Sequence, residues 1–185
     1  MTSAEPRIAP GRLRQVGPFV WAFSRAAGRV ARSEPPGVFL TLGRNRRLFW
    51  GWLHFAGRLM PGGRLPRRET ELVILRVAAS AGSEYEWTQH AGMGARAGLS
   101  QAELAALRDL TGEAEYPWPE RDAMLLRVTD ELLTEQDLSD DTWALMSGHL
   151  DERRCIELVM LVGHYRMLAT ALQTFRVRPD RPRSR

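Results

Sequence analysis

The hydrophobic and polar residues of this chain recur with the period of an α-helix along almost its whole length. Apolar side chains return every three or four residues, and no run shows the strict alternation typical of a half-buried strand. Breaks rich in proline and glycine, such as residues 33–37 and 61–63, separate the periodic segments. Because proline lacks an amide hydrogen, it is excluded from helix interiors. The pattern predicts an all-α fold, a single-domain helical bundle of about seven helices.

Helix boundaries follow from these breaks and from capping residues. Ser100 followed by Glu103 has the spacing of a capping box, and so does Ser83 followed by Glu86. We therefore expect helices to begin directly after Ser83 and after Ser100. The predicted helical segments are 18–30, one or two helices within 39–60, 66 or 67 to about 80, 83–98, 101–110, 120–134, one starting near 139, and 151–175.

The composition excludes several kinds of chemistry. All 26 basic residues are arginine, so no lysine can form a Schiff base with a keto acid or with pyridoxal phosphate. The single cysteine, Cys155, permits neither an intrachain disulfide nor a two-thiol redox cycle. Its apolar helical context, DERRCIELVM, predicts a buried thiol with a high pKa and low reactivity. We expect a protein without a cofactor.

The distribution of charge argues against nucleic acid as a partner. The segment 176–185 holds five arginines and one aspartate, a net +4 that equals the formal charge of the whole chain. We interpret it as a solvated tail, so that residues 1–15 and 177–185 are disordered ends of a helical domain at 16–176. No run reaches the roughly 20 apolar residues that span a bilayer, and no secretory signal opens the chain. We expect a cytoplasmic protein.

Glu71 is the first candidate for acid–base chemistry. On a helix it shares a face with Ile74 and Leu75, so its carboxylate would be desolvated and its pKa would rise toward the range useful for proton transfer. The alternative places Glu71 in the first turn of its helix, where an acid complements the macrodipole. The spacing alone is compatible with both interpretations.

The next helix carries two further candidates, Glu86 and His90. Since they stand four residues apart, they can pair directly and hold one imidazole tautomer, an arrangement suited to general acid–base catalysis. The alternative is a capping box with an exposed ion pair, worth about 0.3–0.5 kcal/mol. Tyr85 and Trp87 flank the pair, where they can line a pocket or simply pack in the core.

Polar residues also interrupt the last apolar helix, in the run LVGHYRM at 161–167. Arg166 can bind a substrate carboxylate through two parallel hydrogen bonds, or it can join a subunit interface. No metal site is expected, because no two histidines have ligand spacing.

Glu71, Glu86 and His90 are the predicted catalytic residues. The predicted substrate-binding residues are Ser83, Tyr85, Trp87, His164 and Arg166.

Three runs of the chain closely resemble the carboxymuconolactone decarboxylase family of the alkylhydroperoxidase D-like superfamily. They are PRRETELVILRVA, SEYEW with a histidine three residues later, and AGLS with EL soon after. The similarity extends over about residues 39–175. It implies an all-helical fold that assembles into homotrimers or homohexamers with active sites near subunit contacts. In the peroxidase branch a glutamate precedes a C-x-x-C-x-x-x-H motif. The glutamate and histidine fall on Glu71 and His90, but the cysteines fall on Ser83 and Glu86.

The resemblance implies a cofactor-free lyase or isomerase, decarboxylase-like, that acts by acid–base catalysis on a small carboxylated or lactone substrate. Thiol peroxidase chemistry is not available by the route of the peroxidase branch, because both thiols are missing. Two alternatives stay open. One is an alkylhydroperoxidase-like antioxidant relative that has lost its C-x-x-C thiols, and the other is a non-catalytic, ligand-binding oligomer. The expected partners are a small-molecule substrate and further copies of the chain, with no nucleic acid and no membrane.

Overall fold

A computed structural model of the protein describes residues 5–31, 33–111 and 116–181. Within these ranges the chain forms ten α-helices and no β-sheet, which confirms the all-α prediction. The number of helices exceeds the predicted seven in part because the chain also forms two short helices, Leu13–Val16 and Gly37–Leu42. The helices are α1 (Leu13–Val16), α2 (Pro18–Ala31), α3 (Gly37–Leu42), α4 (Arg46–Leu59), α5 (Arg67–Ser80), α6 (Glu84–Ala97), α7 (Gln101–Arg108), α8 (Glu120–Thr134), α9 (Asp140–His149) and α10 (Glu152–Phe175). The ends of the predicted leader and tail, residues 1–4 and 182–185, lie outside the described residues.

Local signals set most helix boundaries where the sequence predicts them. Pro66 and Pro119 directly precede α5 and α8, since the fixed φ of proline suits a helix start. The Ser100 capping box is present: its hydroxyl accepts a hydrogen bond from the Glu103 amide at 3.2 Å, and Glu103 Oε2 accepts one from the Ser100 amide at 2.7 Å. Gly98 ends α6 with a left-handed φ of 107°, which only glycine adopts without strain.

The described residues within 1–56 and 171–185 form one compact unit. Its apolar centre consists of the buried side chains of Val16, Val20 and Phe49. Further aromatic rings pack around Phe49, among them Phe39 at a centroid distance of 5.9 Å and at an interplanar angle of 73°. Edge-to-face contacts of this kind add to the stabilisation that burial provides.

Residues 57–170 form the second unit, in which α5 packs against α6, α7 and α8. The α5 side chains from Glu69 to Leu75 are all buried. Three arginines form ion pairs that join the polar edges of α5 to α7 and α8. These ion pairs are Arg68 with Asp122 (2.8 and 2.9 Å) and with Glu103, Arg76 with Asp130 (2.6 and 2.8 Å), and Arg121 with Glu69 (2.7 and 3.0 Å).

The segment that leads into α5 is fixed by Glu157 of α10. Its carboxylate accepts hydrogen bonds from the backbone amide of Arg64 at 2.7 and 2.8 Å and from that of Leu65 at 2.9 Å. Hydrogen bonds to a charged acceptor are stronger than those between neutral groups. The start of α5, two residues further on, is therefore held in a defined position.

Only α10, among the described helices, is long and apolar enough to cross a membrane by length and composition, with a mean hydropathy of 1.4 in its most apolar window. Half of that window is buried inside the protein. A core helix of a soluble protein has the same composition, so the finding is weak evidence for a membrane span. The buried side chains of α10 include Leu158, Leu161 and Leu172.

Candidate active site

A buried hydrogen bond joins Glu71 of α5 to His90 of α6. The His90 Nδ1 atom lies 2.8 Å from Glu71 Oε2. Glu71 is 0% exposed and His90 is 6% exposed. A neutral imidazole bonded in this way carries its proton on Nδ1 and leaves the lone pair on Nε2. This is the tautomer that a base acting through Nε2 requires.

Glu71 also pairs with Arg67, one turn earlier on α5. Arg67 Nη2 lies 2.7 Å from Glu71 Oε1, and the arginine side chain is 41% exposed. The carboxylate thus has a guanidinium on one oxygen and an imidazole on the other. As its apolar stripe predicts, Glu71 is buried, and the first-turn alternative is wrong because Glu69 is the acid in the first turn of α5.

Gly94 lies one turn after His90, where α6 packs closely against α5. A Cβ atom at this position would lie 3.0 Å from Leu75 Cδ1, 2.9 Å from Leu99 Cδ1 and 3.7 Å from Glu71 Cβ. A larger residue would therefore force the ends of the Leu75 and Leu99 side chains to shift.

Glu86 lies on the same face of α6 as His90 and is only 2% exposed. Neither of its carboxylate oxygens has a hydrogen-bond partner among the described residues. Burial raises the pKa of Glu86 to about 7, and the nearby Ser83 hydroxyl lowers it in part. The hydroxyl nevertheless lacks the geometry of a hydrogen bond. Glu86 therefore gains or loses its proton close to neutral pH, the range in which general acids and bases work best.

Two local predictions about α6 are wrong. Ser83 precedes the helix, but its side chain caps no amide, so the capping box with Glu86 does not form. Glu86 and His90 do not pair either, because His90 bonds to Glu71 across the two helices. The physical reason is that this face of α6 packs inward, which buries Ser83, Glu86 and His90. The alternative of an exposed ion pair is excluded for the same reason.

Tyr165 of α10 joins the site, although the sequence analysis did not select it. Its ring stands perpendicular to the His90 ring, at 88° and with 5.2 Å between centroids. Burial, and then the charges of Glu71 and Glu86, raise the pKa of the Tyr165 phenol above its ordinary value. The available signal was helical periodicity, since Tyr165 continues the buried stripe of Leu158 and Leu161.

The neighbours of Tyr165 have different surroundings. His164 is buried, and burial lowers its pKa to about 4, so its imidazole is neutral at physiological pH. Arg166 is exposed and lines a cavity of about 350 Å³ between α8 and α10 together with Gln136 and Gly163. This cavity contains none of the predicted catalytic residues. Arg166 therefore lies on another face of α10 from Tyr165.

The two aromatic residues predicted to bind substrate are placed differently from each other. Tyr85 is buried at 6% exposure. Trp87 is half-buried and lies under the Arg108 guanidinium, 5.0 Å from its ring centroid. Among the residues that the structure describes, no group of three or more His, Cys, Asp and Glu side chains is arranged to hold a metal ion.

The family model of the carboxymuconolactone decarboxylase family matches residues 46–124. This match confirms the resemblance to that family over these residues. The match covers Glu71, Glu86 and His90 and ends before Tyr165. No curated protein matches the chain at a significant level.

Solved structures share the fold at low sequence identity. The chain is similar to a peroxidase-related protein from Silicibacter sp. TM1040 (TM-score 0.79, 13% identity, 97% of this chain and 94% of that one). It is also similar to the alkylhydroperoxidase AhpD core protein from Ralstonia eutropha JMP134 (TM-score 0.78, 16% identity, 95% and 94%). The debrominase Bmp8 is a third similar structure (TM-score 0.75, 13% identity, 93% and 91%). Identities this low establish the alkylhydroperoxidase D-like fold alone.

Cys155 lies on α10, and its thiol is buried. Burial, followed by the charge of Asp151, raises the pKa of this thiol, as the sequence predicts. Its Sγ atom lies 3.6 Å from the Leu150 carbonyl oxygen. A protonated, buried thiol is a poor nucleophile.

We therefore expect no thiol-dependent peroxidase activity. Consumption of an organic hydroperoxide in the presence of a dithiol reductant should equal the buffer blank, because Cys155 is the only thiol in the chain. Turnover that disappears in a Cys155→Ser variant would contradict this prediction.

Proposed function

We propose that this protein is a cofactor-free lyase or isomerase that moves a proton on a small carboxylated or lactone substrate. The supporting observation is the buried Glu71–His90 hydrogen bond of 2.8 Å on the helix face that also holds the unpartnered Glu86 carboxyl. A buried acid without a partner destabilises a fold. Such groups concentrate at sites where a shifted pKa serves a reaction.

In this proposal His90 is the base that takes a proton through Nε2. The imidazolium formed in that step is stabilised by Glu71, whose own charge is balanced by Arg67. Glu86, with a pKa of about 7, is the acid that delivers a proton to the product. A positioned acid or base contributes about 10²–10⁴-fold in rate.

In the proposed reaction the substrate itself accepts the electron pair that is released when a bond to carbon breaks. In a decarboxylation the bond to the carboxyl carbon breaks, CO2 leaves, and the electron pair enters the conjugated carbonyl system of the lactone. A proton from the site then adds to carbon. In an isomerisation the proton leaves one carbon and returns to another. Neither reaction needs a Schiff base, which the absence of lysine from the chain precludes.

The proposal is tested with a panel of small lactone acids in D2O. We expect the wild-type protein to incorporate deuterium at the carbon next to the carbonyl, with release of CO2 where the acid can decarboxylate. Proton NMR and a CO2 assay measure the two outcomes against a buffer blank. Binding without exchange or CO2 release across the panel would instead favour the non-catalytic, ligand-binding alternative.

The similar solved structures include peroxidase-related proteins and a debrominase, so the fold carries varied activities. The residues at the two cysteine positions of the peroxidase motif favour one of them here. Ser83 cannot replace a thiolate, and Glu86 supplies a titrating carboxyl instead. This favours proton transfer over a relict peroxidase function.

A cytoplasmic location, without nucleic acid or membrane partners, is part of the same proposal.

We also propose that the chain assembles with itself through α10. Ile156, Met160 and Met167 are 58%, 45% and 54% exposed, and with Gly163 they follow the four-three-four spacing of a helix-pairing seam. No atom lies within 4 Å of the space where Gly163 would carry a Cβ.

Light scattering at micromolar concentration should give the mass of a trimer or of a dimer of trimers. Met160→Arg introduces a charge into the seam and should shift the mass toward the monomer. Val30, which is 88% exposed on α2, provides the matched control, since Val30→Arg should leave the mass unchanged. A monomeric wild-type protein would refute the assembly.

A further inference from the structure

The proposed proton transfer places negative charge on a substrate oxygen, and the site needs a hydrogen-bond donor for that oxygen. When a carbon next to a carbonyl loses a proton or CO2, the electron pair moves onto the carbonyl oxygen and forms an enolate. Donors that are already in position stabilise such an oxyanion strongly. The side chains around His90 are the candidates for this donor.

We infer that the Tyr165 hydroxyl is the donor that binds the enolate oxygen, which makes a carbonyl next to the reacting carbon the feature that the site selects. The inference rests on the proposed function and adds a residue to it. Tyr165 is 5% exposed, and its ring packs edge-on against His90. The aromatic ring of Tyr165 therefore lies beside the imidazole that moves the proton.

Two other donor groups at the site already serve Glu71. Arg67 Nη2 forms an ion pair with Glu71 Oε1, and His90 Nδ1 is directed at Glu71 Oε2. The buried Ser83 hydroxyl lies near Glu86 without a hydrogen bond of its own. Glu86 is an acceptor whenever it has lost its proton. By contrast, no hydrogen bond engages the Tyr165 hydroxyl within the described part of the chain.

The surroundings also suit a donor that keeps its proton. Burial, and then the charges of Glu71 and Glu86, oppose ionisation of the Tyr165 phenol and keep its pKa above the ordinary value. A phenol that stays neutral offers its proton to an oxyanion without adding a negative charge to the site. In a site from which water is excluded, this hydrogen bond is stronger than in water.

The inference is tested with two lactones that differ in charge. Tetronic acid is ionised at neutral pH and is a stable mimic of a γ-lactone enolate, whereas γ-butyrolactone is its neutral counterpart. Tyr165→Phe keeps the ring beside His90 and removes only the hydroxyl. We expect it to weaken tetronate binding by about 10- to 100-fold, the range of a hydrogen bond to a charged group, and to leave γ-butyrolactone binding nearly unchanged.

Titration calorimetry or ligand-observed NMR measures both affinities, with Tyr116→Phe as the matched control outside the site. Equal weakening of both ligands, or no weakening, would overturn the inference. So would a wild-type protein that does not bind tetronate. If Tyr165→Phe does not fold, global replacement of tyrosine by 3-fluorotyrosine, a more acidic phenol, should tighten tetronate binding by the wild-type sequence, and unchanged binding would refute the donor.

The outcomes separate this inference from the function on which it rests. Tetronate binding that depends on Tyr165, without deuterium exchange on any lactone acid, would confirm the oxyanion site and refute the proposed catalysis. Deuterium exchange that continues at the wild-type rate in Tyr165→Phe would support the catalysis and refute the role of Tyr165.

Discussion

Replacing His90 with asparagine is expected to lower the turnover of a lactone acid by about 10²–10⁴-fold, the usual contribution of a positioned acid or base. Asparagine places an amide nitrogen near the position of Nδ1, so it can still donate to Glu71 Oε2, which accepts from His90 at 2.8 Å in the wild type. It has no atom equivalent to Nε2. Rates of deuterium incorporation measure the loss, and the thermal midpoint shows that the fold is retained.

His54 supplies the control for this experiment because it is an exposed histidine on α4. His54→Asn should keep the wild-type rate. Full activity in His90→Asn would show that the Glu71–His90 pair is structural. Loss of the folded state in His90→Asn would instead show that the imidazole ring has a structural role in packing, because the variant keeps a donor for Glu71 Oε2.

The second large effect concerns stability. The pKa of Glu86 in the folded protein is about 7, against an ordinary value of 4.5. Between these values the folded state binds more protons than the unfolded state, so the free energy of unfolding falls as the pH rises through this window. The full loss, reached above pH 7, is about 3 kcal/mol at about 1.4 kcal/mol per pKa unit. Glu86→Gln has no proton to lose there and should be the more stable protein at pH 8.

Urea unfolding at pH 5 and at pH 8 measures this difference. The advantage of Glu86→Gln over the wild type should grow between the two pH values, while the exposed acid Glu135, changed to glutamine, should give a curve parallel to the wild type. Parallel curves for Glu86→Gln as well would mean that Glu86 is not desolvated in solution. Turnover should fall in the same variant, because the amide cannot deliver a proton.

The sequence was sufficient to predict the helices because their boundaries depend on local chemistry. Pro66 and Pro119 start α5 and α8 by their fixed φ, and Ser100 starts α7 through hydrogen bonds to residues within one turn. Each signal lies within a few residues of the boundary that it determines. The burial of Glu71 was one of two interpretations that its helical spacing allowed.

The site was less predictable because its contacts are tertiary. Ser83 and Glu86 have the same spacing as Ser100 and Glu103, yet only the second pair forms a capping box. Spacing does not reveal which helix face turns inward. His90 bonds to a carboxylate 19 residues away rather than to the one four residues away, and the fold alone brings Tyr165 to the same place.

Nine of the fourteen residues of α5 are buried, whereas α6 buries mainly the stripe that faces α5. The helix that carries Glu71 is therefore also the one in which a substitution disturbs the most packing. Laboratory evolution toward a new substrate would accept changes in α6 and α10 far more readily than in α5. Selection for new specificity and selection for heat resistance would then act on different helices, so that either property could be altered while the other is largely kept.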